Sequence, residues 1–136
     1  MIERVDHVAI GVADLDERIQ FFTEQMGMHL KRRGTHNATG GRIAFLADAA
    51  GFKLELIETP DPAPQGLEGH RQTGLMHIAF RVDDIPAEHD RLCQEGLMPL
   101  RGPLHLKAAK ADTALLKDPA GMEIQIIRYE PDSPDL

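Results

Sequence analysis

The sequence predicts an α+β fold: two paired βαβββ modules whose strands form a curved, cup-like mixed sheet. Three observations predict it. The chain repeats itself at an offset of 70 residues, each repeat opens with an alternating strand and a capped amphipathic helix, and an Asp-x-Ala-Gly turn recurs at matching places. HVAIGVAD at 7–14 aligns with HIAFRVDD at 77–84, with identities at His7/His77, Ala9/Ala79, Val12/Val82 and Asp14/Asp84. AFLADAAG at 44–51 aligns with ALLKDPAG at 114–121, with identities at Ala44/Ala114, Leu46/Leu116, Asp48/Asp118, Ala50/Ala120 and Gly51/Gly121. The expected organisation is a first module over 1–58, a Pro- and Gly-rich linker or lid over 59–74, a second module over 75–129 and a disordered tail over 130–136.

Each element has a local reason. From Val5 to Val12, Val8, Ile10 and Val12 fall on one face and His7, Ala9 and Gly11 on the other, the period of a half-buried strand. Asp14 caps the helix that follows, with Glu17 three residues on. Leu15, Ile19, Phe22 and Met26 form its apolar stripe, and Gly27 suits the position just past its end. The second module repeats this with Asp84, then Ile85, His89, Leu92 and Cys93, ending at Gly96. Three further strands complete each module, over 28–34, 41–47 and 52–58, then 98–102, 111–117 and 122–128. DAAG and DPAG form the turns between the last two strands, because Asp bonds its own backbone and Gly accepts positive φ. Residues 35–40 and 102–110 read as the least regular loops.

Composition narrows the function. The chain has 136 residues, enough for one well-buried domain or two small packed modules. A net charge of −7, 4% aromatic residues and no Trp argue against a nucleic-acid partner, which needs a basic face and stacking surface. The single basic run, Lys31, Arg32 and Arg33, reads as a solvated strand edge. One cysteine, Cys93, excludes an internal disulfide and fits a reducing compartment, and no apolar run reaches membrane-spanning length. The expectation is a cytoplasmic protein with a small-molecule substrate and no membrane or nucleic-acid partner.

Strand parity selects the candidate site. Val8, Ile10, Val12, Leu54, Leu56, Ile78, Phe80, Val82, Ile124 and Ile126 cover the helices. The opposite face carries His7, Lys53, Glu55, His77, Arg81, Glu123 and Gln125, polar groups that are costly to bury unless paired or bound to something. His7 maps onto His77 and Glu55 onto Gln125 at the same offset, so each module supplies one imidazole and one oxygen donor. Two nitrogens and two oxygens suit Zn²⁺, Ni²⁺, Co²⁺, Fe²⁺ or Mn²⁺, and are too nitrogen-rich for Ca²⁺ or Mg²⁺. His29, His36, His70 and His105 lack this support and read as loop or surface residues, with His36 and His105 worth testing as pocket groups. His89 and Cys93 read as packing residues.

The motifs DHVAIGVADL near the start, KLELIE at 53–58, GLMHIAFRVDDI at 74–85 and DPAGMEIQII at 118–127 together carry a resemblance to the vicinal oxygen chelate superfamily, over about residues 4–129. That superfamily includes glyoxalase I, methylmalonyl-CoA epimerase, extradiol dioxygenases and bleomycin resistance proteins, and the pattern is closest to the first two. The resemblance implies that His7, Glu55 and His77 are metal ligands. The fourth ligand position, commonly Glu, holds Gln125; Glu123 replaces it only if the register shifts. It implies a metal-dependent lyase or isomerase of glyoxalase I type that stabilises an enediolate of a 2-oxo or thiohemiacetal substrate by bidentate chelation, with Glu55 doubling as the base. Positions used for glutathione in that family fall on Gly11 and Thr59 here, whereas Arg81 is expected either to bind a substrate anion or to pair with Asp83 or Glu123. An acyl-CoA epimerase, an extradiol-type dioxygenase and a non-catalytic drug-binding protein are the alternatives. The resemblance also implies a homodimer.

Overall fold

A computed structural model describes residues 1–37, 39–59, 74–119 and 121–136. Its elements run β1 (Ile2–Val12), α1 (Leu15–Gln20), a π-helical turn (Phe21–Gln25), β2 (His29–Thr35), β3 (Arg42–Ala47), β4 (Lys53–Glu58), β5 (Gly74–Val82), α2 (Ile85–Gln94), β6 (Met98–Leu106), β7 (Ala111–Lys117) and β8 (Glu123–Tyr129). The fold is α+β; among the described residues, eight strands form one open sheet of order β2-β3-β4-β1-β5-β8-β7-β6, with two α-helices. Most of the linker over 59–74 and the whole of His70 lie outside the described residues.

The chain divides into two compact units, His7–Met76 and Met1–Asp6 with His77–Leu136. The first six residues therefore go with the second repeat, and the reason is chemical. Asp6, 2% exposed, accepts from Arg81 Nη2 at 2.8 Å and from Tyr129 Oη at 2.6 Å, while Ile2 packs against that unit's core.

In the unit His7–Met76, β1 pairs parallel with β4, matching His7 to Lys53 and Ala9 to Glu55, and β3 pairs antiparallel with β4, matching Phe45 to Glu55. One face packs α1: Val12, Leu15, Ile19, Ala44, Leu46 and Leu56 are buried together, joined by Ile10, Phe22 and Met28. The other buries Ala9, Ile43, Phe45, Ile57 and Met76. Asp14 caps α1, accepting from Glu17 N at 3.1 Å, whereas the Glu17 carboxylate pairs with Arg18 instead of closing a capping box. Met26 leaves the expected stripe and is 60% exposed. The cause is the π-helical turn, closed by Met26 N to Phe21 O at 3.3 Å; its extra residue rotates the stripe, and Met28 takes the packing place.

The unit with His77–Leu136 uses the same registers shifted by 70. Strand β5 pairs parallel with β8, matching His77 to Glu123 and Ala79 to Gln125, and β7 pairs antiparallel with β8, matching Leu115 to Gln125. Val82, Ile85, Ala114, Leu116 and Ile126 form the helix-side core with Leu92 and Cys93, and Ala79, Ala109, Ala111, Ile127 and Tyr129 the opposite one. Asp84 caps α2 from Ala87 N at 3.0 Å. His89 is half-buried, whereas Glu88 is fully buried and ion-paired with Arg91 and the Met1 amino group. The two hairpin turns match bond for bond: Asp48 Oδ1 accepts from Phe52 N and Asp118 Oδ1 from Met122 N, both at 2.8 Å.

One stretch breaks the offset. His29 faces Ala47 and Arg32 faces Phe45, but Met98 faces Lys117 and Arg101 faces Leu115, so β2 and β6 correspond at 69; by Gly34 with Ile43 and Leu104 with Thr113 the offset is 70 again. The residue gained in the π-helical turn is thus matched by one gained in a bulge of β6 between Arg101 and Leu104. Gly102 occupies that bulge at φ +81°, where a Cβ would come within 2.8 Å of Thr113 O. This bulge carries β6 on to Leu106 through residues expected to be loop.

Residues 130–136 make contacts with the turn before β7. Glu130 N donates to Lys110 O at 2.8 Å, Ser133 Oγ donates to Ala109 O, and Asp135 is 1% exposed.

Candidate metal centre

The parallel pairs β1/β4 and β5/β8 set the polar face. In each, the histidine's register neighbour is a buried charged residue, Lys53 beside His7 and Glu123 beside His77, and the oxygen donor lies two residues further along. Glu55 and Gln125 are reached in this way.

His7 is 1% exposed, its ring edge-on to Phe45 with centroids 5.2 Å apart, and its Nε2 lies 3.4 Å from Glu55 Oε1. Glu55 and His77 are also buried. Within the unit His7–Met76 the structure brings together two of the residues singled out in the sequence, His7 and Glu55. His77 holds the matching register position in the other unit, and imidazole and carboxylate are side chains suited to a divalent ion.

Gln125 is half-buried. Its Nε2 donates to Thr113 Oγ1 at 2.9 Å, and its Oε1 is buried with no hydrogen-bond partner among the described residues. Arg81 pairs with neither Asp83 nor Glu123 among the described contacts; Nε and Nη2 both donate to Asp6 Oδ1, at 3.3 and 2.8 Å, and the guanidinium stacks 5.2 Å over the Tyr129 ring. Thr59 is committed to the backbone, its N donating to Val12 O at 2.9 Å. His36 is buried, Nδ1 accepting from Thr39 N at 3.2 Å, and His105 is exposed beside Asp112.

Sequence reasoning missed three contributors. Arg32, within the run read as a strand edge, lies 5.7 Å over the Phe45 ring that flanks His7. Phe45 itself carried the signal of parity, as the register neighbour of Glu55. Thr113 gave no signal beyond strand propensity.

Two repeated βαβββ units, each with a histidine and an oxygen-bearing side chain at matching register, define the class: a duplicated α+β sheet protein whose polar strand residues are of types suited to a divalent metal. The family described as the Glyoxalase/Bleomycin resistance protein/Dioxygenase superfamily matches residues 4–126. The chain belongs to that superfamily. It is 32% identical to a probable lactoylglutathione lyase of Vibrio cholerae, over 92% of this chain and 90% of that protein, and 28% identical to a probable lactoylglutathione lyase of Synechocystis, over 90% and 92%. Among solved structures, the methylmalonyl-CoA epimerase of Mycobacterium tuberculosis is 25% identical with a TM-score of 0.81, covering 96% of this chain and 90% of that one. The epimerase of Streptomyces coelicolor, in complex with 2-nitronate-propionyl-CoA, is 20% identical with a TM-score of 0.79, over 98% and 99%, and shows the shared fold. Among the described residues no helix is long and apolar enough to cross a membrane.

Proposed function

We propose that the protein is a metal-dependent lyase or isomerase of glyoxalase type, acting on a small 2-oxo or thiohemiacetal substrate, with His7, Glu55, His77 and Gln125 as the protein donors to one divalent ion. The observation that carries this reading is that His7 and Glu55 are buried 3.4 Å apart, with His77 and Gln125 at the same register positions of the other unit. The donor set fits the group: two imidazoles, one carboxylate and the buried amide oxygen of Gln125 suit Ni²⁺, Co²⁺, Zn²⁺, Fe²⁺ or Mn²⁺. Such an ion supplies Lewis-acid stabilisation of negative charge developing on adjacent substrate oxygens.

The remaining chemistry belongs to the chain. Glu55, the carboxylate of the donor set, takes the substrate's carbon-bound proton at Oε1 or Oε2, and His7 Nε2 lies 3.4 Å from Oε1. The walls formed by Phe45, Ile43, Ile57 and Ala9 exclude water from that transfer. Arg81 binds a carboxylate or phosphate of the substrate, sharing its guanidinium with Asp6. The names of the curated relatives support the lyase reading. The protein acts in the cytoplasm as a homodimer, a state that sedimentation of the purified protein checks.

One observation favours a second reading, an acyl thioester epimerase. The chain is structurally similar to the Mycobacterium tuberculosis epimerase, and Glu123, buried beside His77, offers a second carboxylate. Assays of the metal-loaded protein with hemithioacetals and with 2-substituted malonyl thioesters separate the two. Turnover of the former with solvent-derived deuterium in the product is expected; exchange confined to the malonyl thioester overturns the lyase in favour of the epimerase. Purified protein with stoichiometric Fe²⁺ and oxygen-dependent ring cleavage points to a dioxygenase, and protein that binds no divalent metal to a drug-binding role.

A further inference from the structure

We infer that Thr113 is a positioning residue that fixes the amide of Gln125, so that the carbonyl oxygen and not the NH₂ group is presented as a donor. The inference rests on the proposed reading of Gln125 as an oxygen ligand. An amide side chain has two faces of opposite polarity, and nothing in its shape chooses between them. Here the choice is made by one proton. The hydroxyl of Thr113, 4% exposed, donates to the backbone carbonyl of Ile126 at 2.7 Å. A hydroxyl has one hydrogen, so the same Oγ1 can only accept from Gln125, whose group 2.9 Å away is therefore Nε2–H. Turning the amide over would set Oε1 against an oxygen with no proton left to give. Oε1 is thereby aimed the other way, buried and without a partner among the described residues.

The other repeat shows that the arrangement is specific to this oxygen donor. The position equivalent to Thr113 is Ile43, which is diagonal to Glu55 in the β3/β4 register as Thr113 is to Gln125 in β7/β8. A carboxylate has two like oxygens and needs no orienting partner, and an aliphatic side chain provides none. Thr113 also selects against Glu at 125: a carboxylate there would meet the lone pairs of Oγ1 unless the hydroxyl abandoned Ile126 O.

The test uses the metal-free protein titrated with Co²⁺, reading both affinity and the visible d–d spectrum, for Thr113→Val, Thr113→Ser and Gln125→Ala. Side-chain amide NMR of Gln125 and the melting temperature are measured without metal. Thr113→Val is expected to weaken Co²⁺ binding about tenfold or more and to change the spectrum, as loss of a group that orients a ligand does. Its Gln125 NH₂ resonances shift in the metal-free state, and Thr113→Ser returns all three readouts to the parent values. If Gln125→Ala weakens binding and alters the spectrum while Thr113→Val does neither, the orienting role of Thr113 is wrong and the ligand reading stands. If Gln125→Ala changes neither, the ligand reading fails first. Should Thr113→Val not fold, as its melting would show, Thr113→Ala serves in its place, and parent-like binding and NH₂ shifts in that variant overturn the inference.

Discussion

The two repeats place the same frame under different chemistry. His7 with Lys53 and Ala9 with Glu55 share a register with His77 with Glu123 and Ala79 with Gln125, each position 70 residues on. On that frame a carboxylate beside Ile43 in the first repeat stands against an amide beside Thr113 in the second, Phe45 against Leu115, and Gly11 against Arg81. Duplication puts an imidazole and an oxygen-bearing side chain at matching positions of each unit; substitution then makes the two oxygen-bearing groups different. The first repeat keeps a group able to take a proton, and the second keeps a neutral one tied in a single orientation.

The largest effect is expected from removing either imidazole. His7→Ala and His77→Ala should each abolish stoichiometric metal binding and cut turnover by at least about a thousandfold, since each removes a ligand and the charge stabilisation that follows from it. Retained metal and turnover in one of them, by elemental analysis and steady-state assay, would break the symmetry of the pair.

Next comes the oxygen pair. Glu55→Gln should lower kcat by about a hundredfold to ten-thousandfold and weaken metal binding about tenfold, because the proton acceptor is lost and the amide that replaces it has no residue to orient its oxygen. The reciprocal Gln125→Glu should change kcat by less than about tenfold. Combining the two swaps is the sharper experiment. If the repeats were interchangeable, the double variant would recover turnover, and it is expected not to, because Ile43 cannot orient an amide at 55.

Core truncation tests whether the frames are equally stable. Leu46→Ala and Leu116→Ala remove equivalent side chains, both 0% exposed, and each should cost about 2–5 kcal/mol by urea denaturation. A gap between them of more than about 1 kcal/mol would show that one unit relaxes around the cavity better than the other.

The smallest effect lies at Glu88, whose equivalent in the first repeat is Arg18, paired with Glu17. Hydrogen bonding from Arg91 holds its carboxyl below the ordinary 4.5, against the opposing cost of burial, with further help from the Met1 amino group. A depressed carboxyl stabilises the fold above the unfolded value and ceases to as pH falls through the folded one. Glu88→Gln should therefore cost about 1 kcal/mol near pH 7, modest because its partners reach it from the solvent side. Urea midpoints of the two proteins should converge as pH falls below 4.5; a gap that widens would reverse the sign of this contribution.

The parity of the strands and the repeat at 70 made the fold, the helix caps, the hairpin turns and the approach of Glu55 to His7 legible, because each follows from a period of two or from one fixed shift. What escaped depends on other things. Asp6 is anchored by Arg81 and Tyr129, 75 and 123 residues away, and no local pattern encodes such a pairing. Met26 was placed by a period of 3.6 that the π-helical turn interrupts. Thr113 reads as any β-branched strand residue until its hydroxyl's one hydrogen is accounted for. The bonds that the 130–136 tail makes to Ala109 and Lys110 likewise join residues some twenty positions apart, beyond any local pattern.

The bulge at Gly102 and the π-helical turn after α1 are places where one repeat has gained a residue over the other, and both lie at a helix end or on an outermost strand. Length drift since the copies separated has thus been taken up as slack at the margins. The inner strands that hold the histidines have kept their count, and a single insertion there would have turned every donor toward the helices.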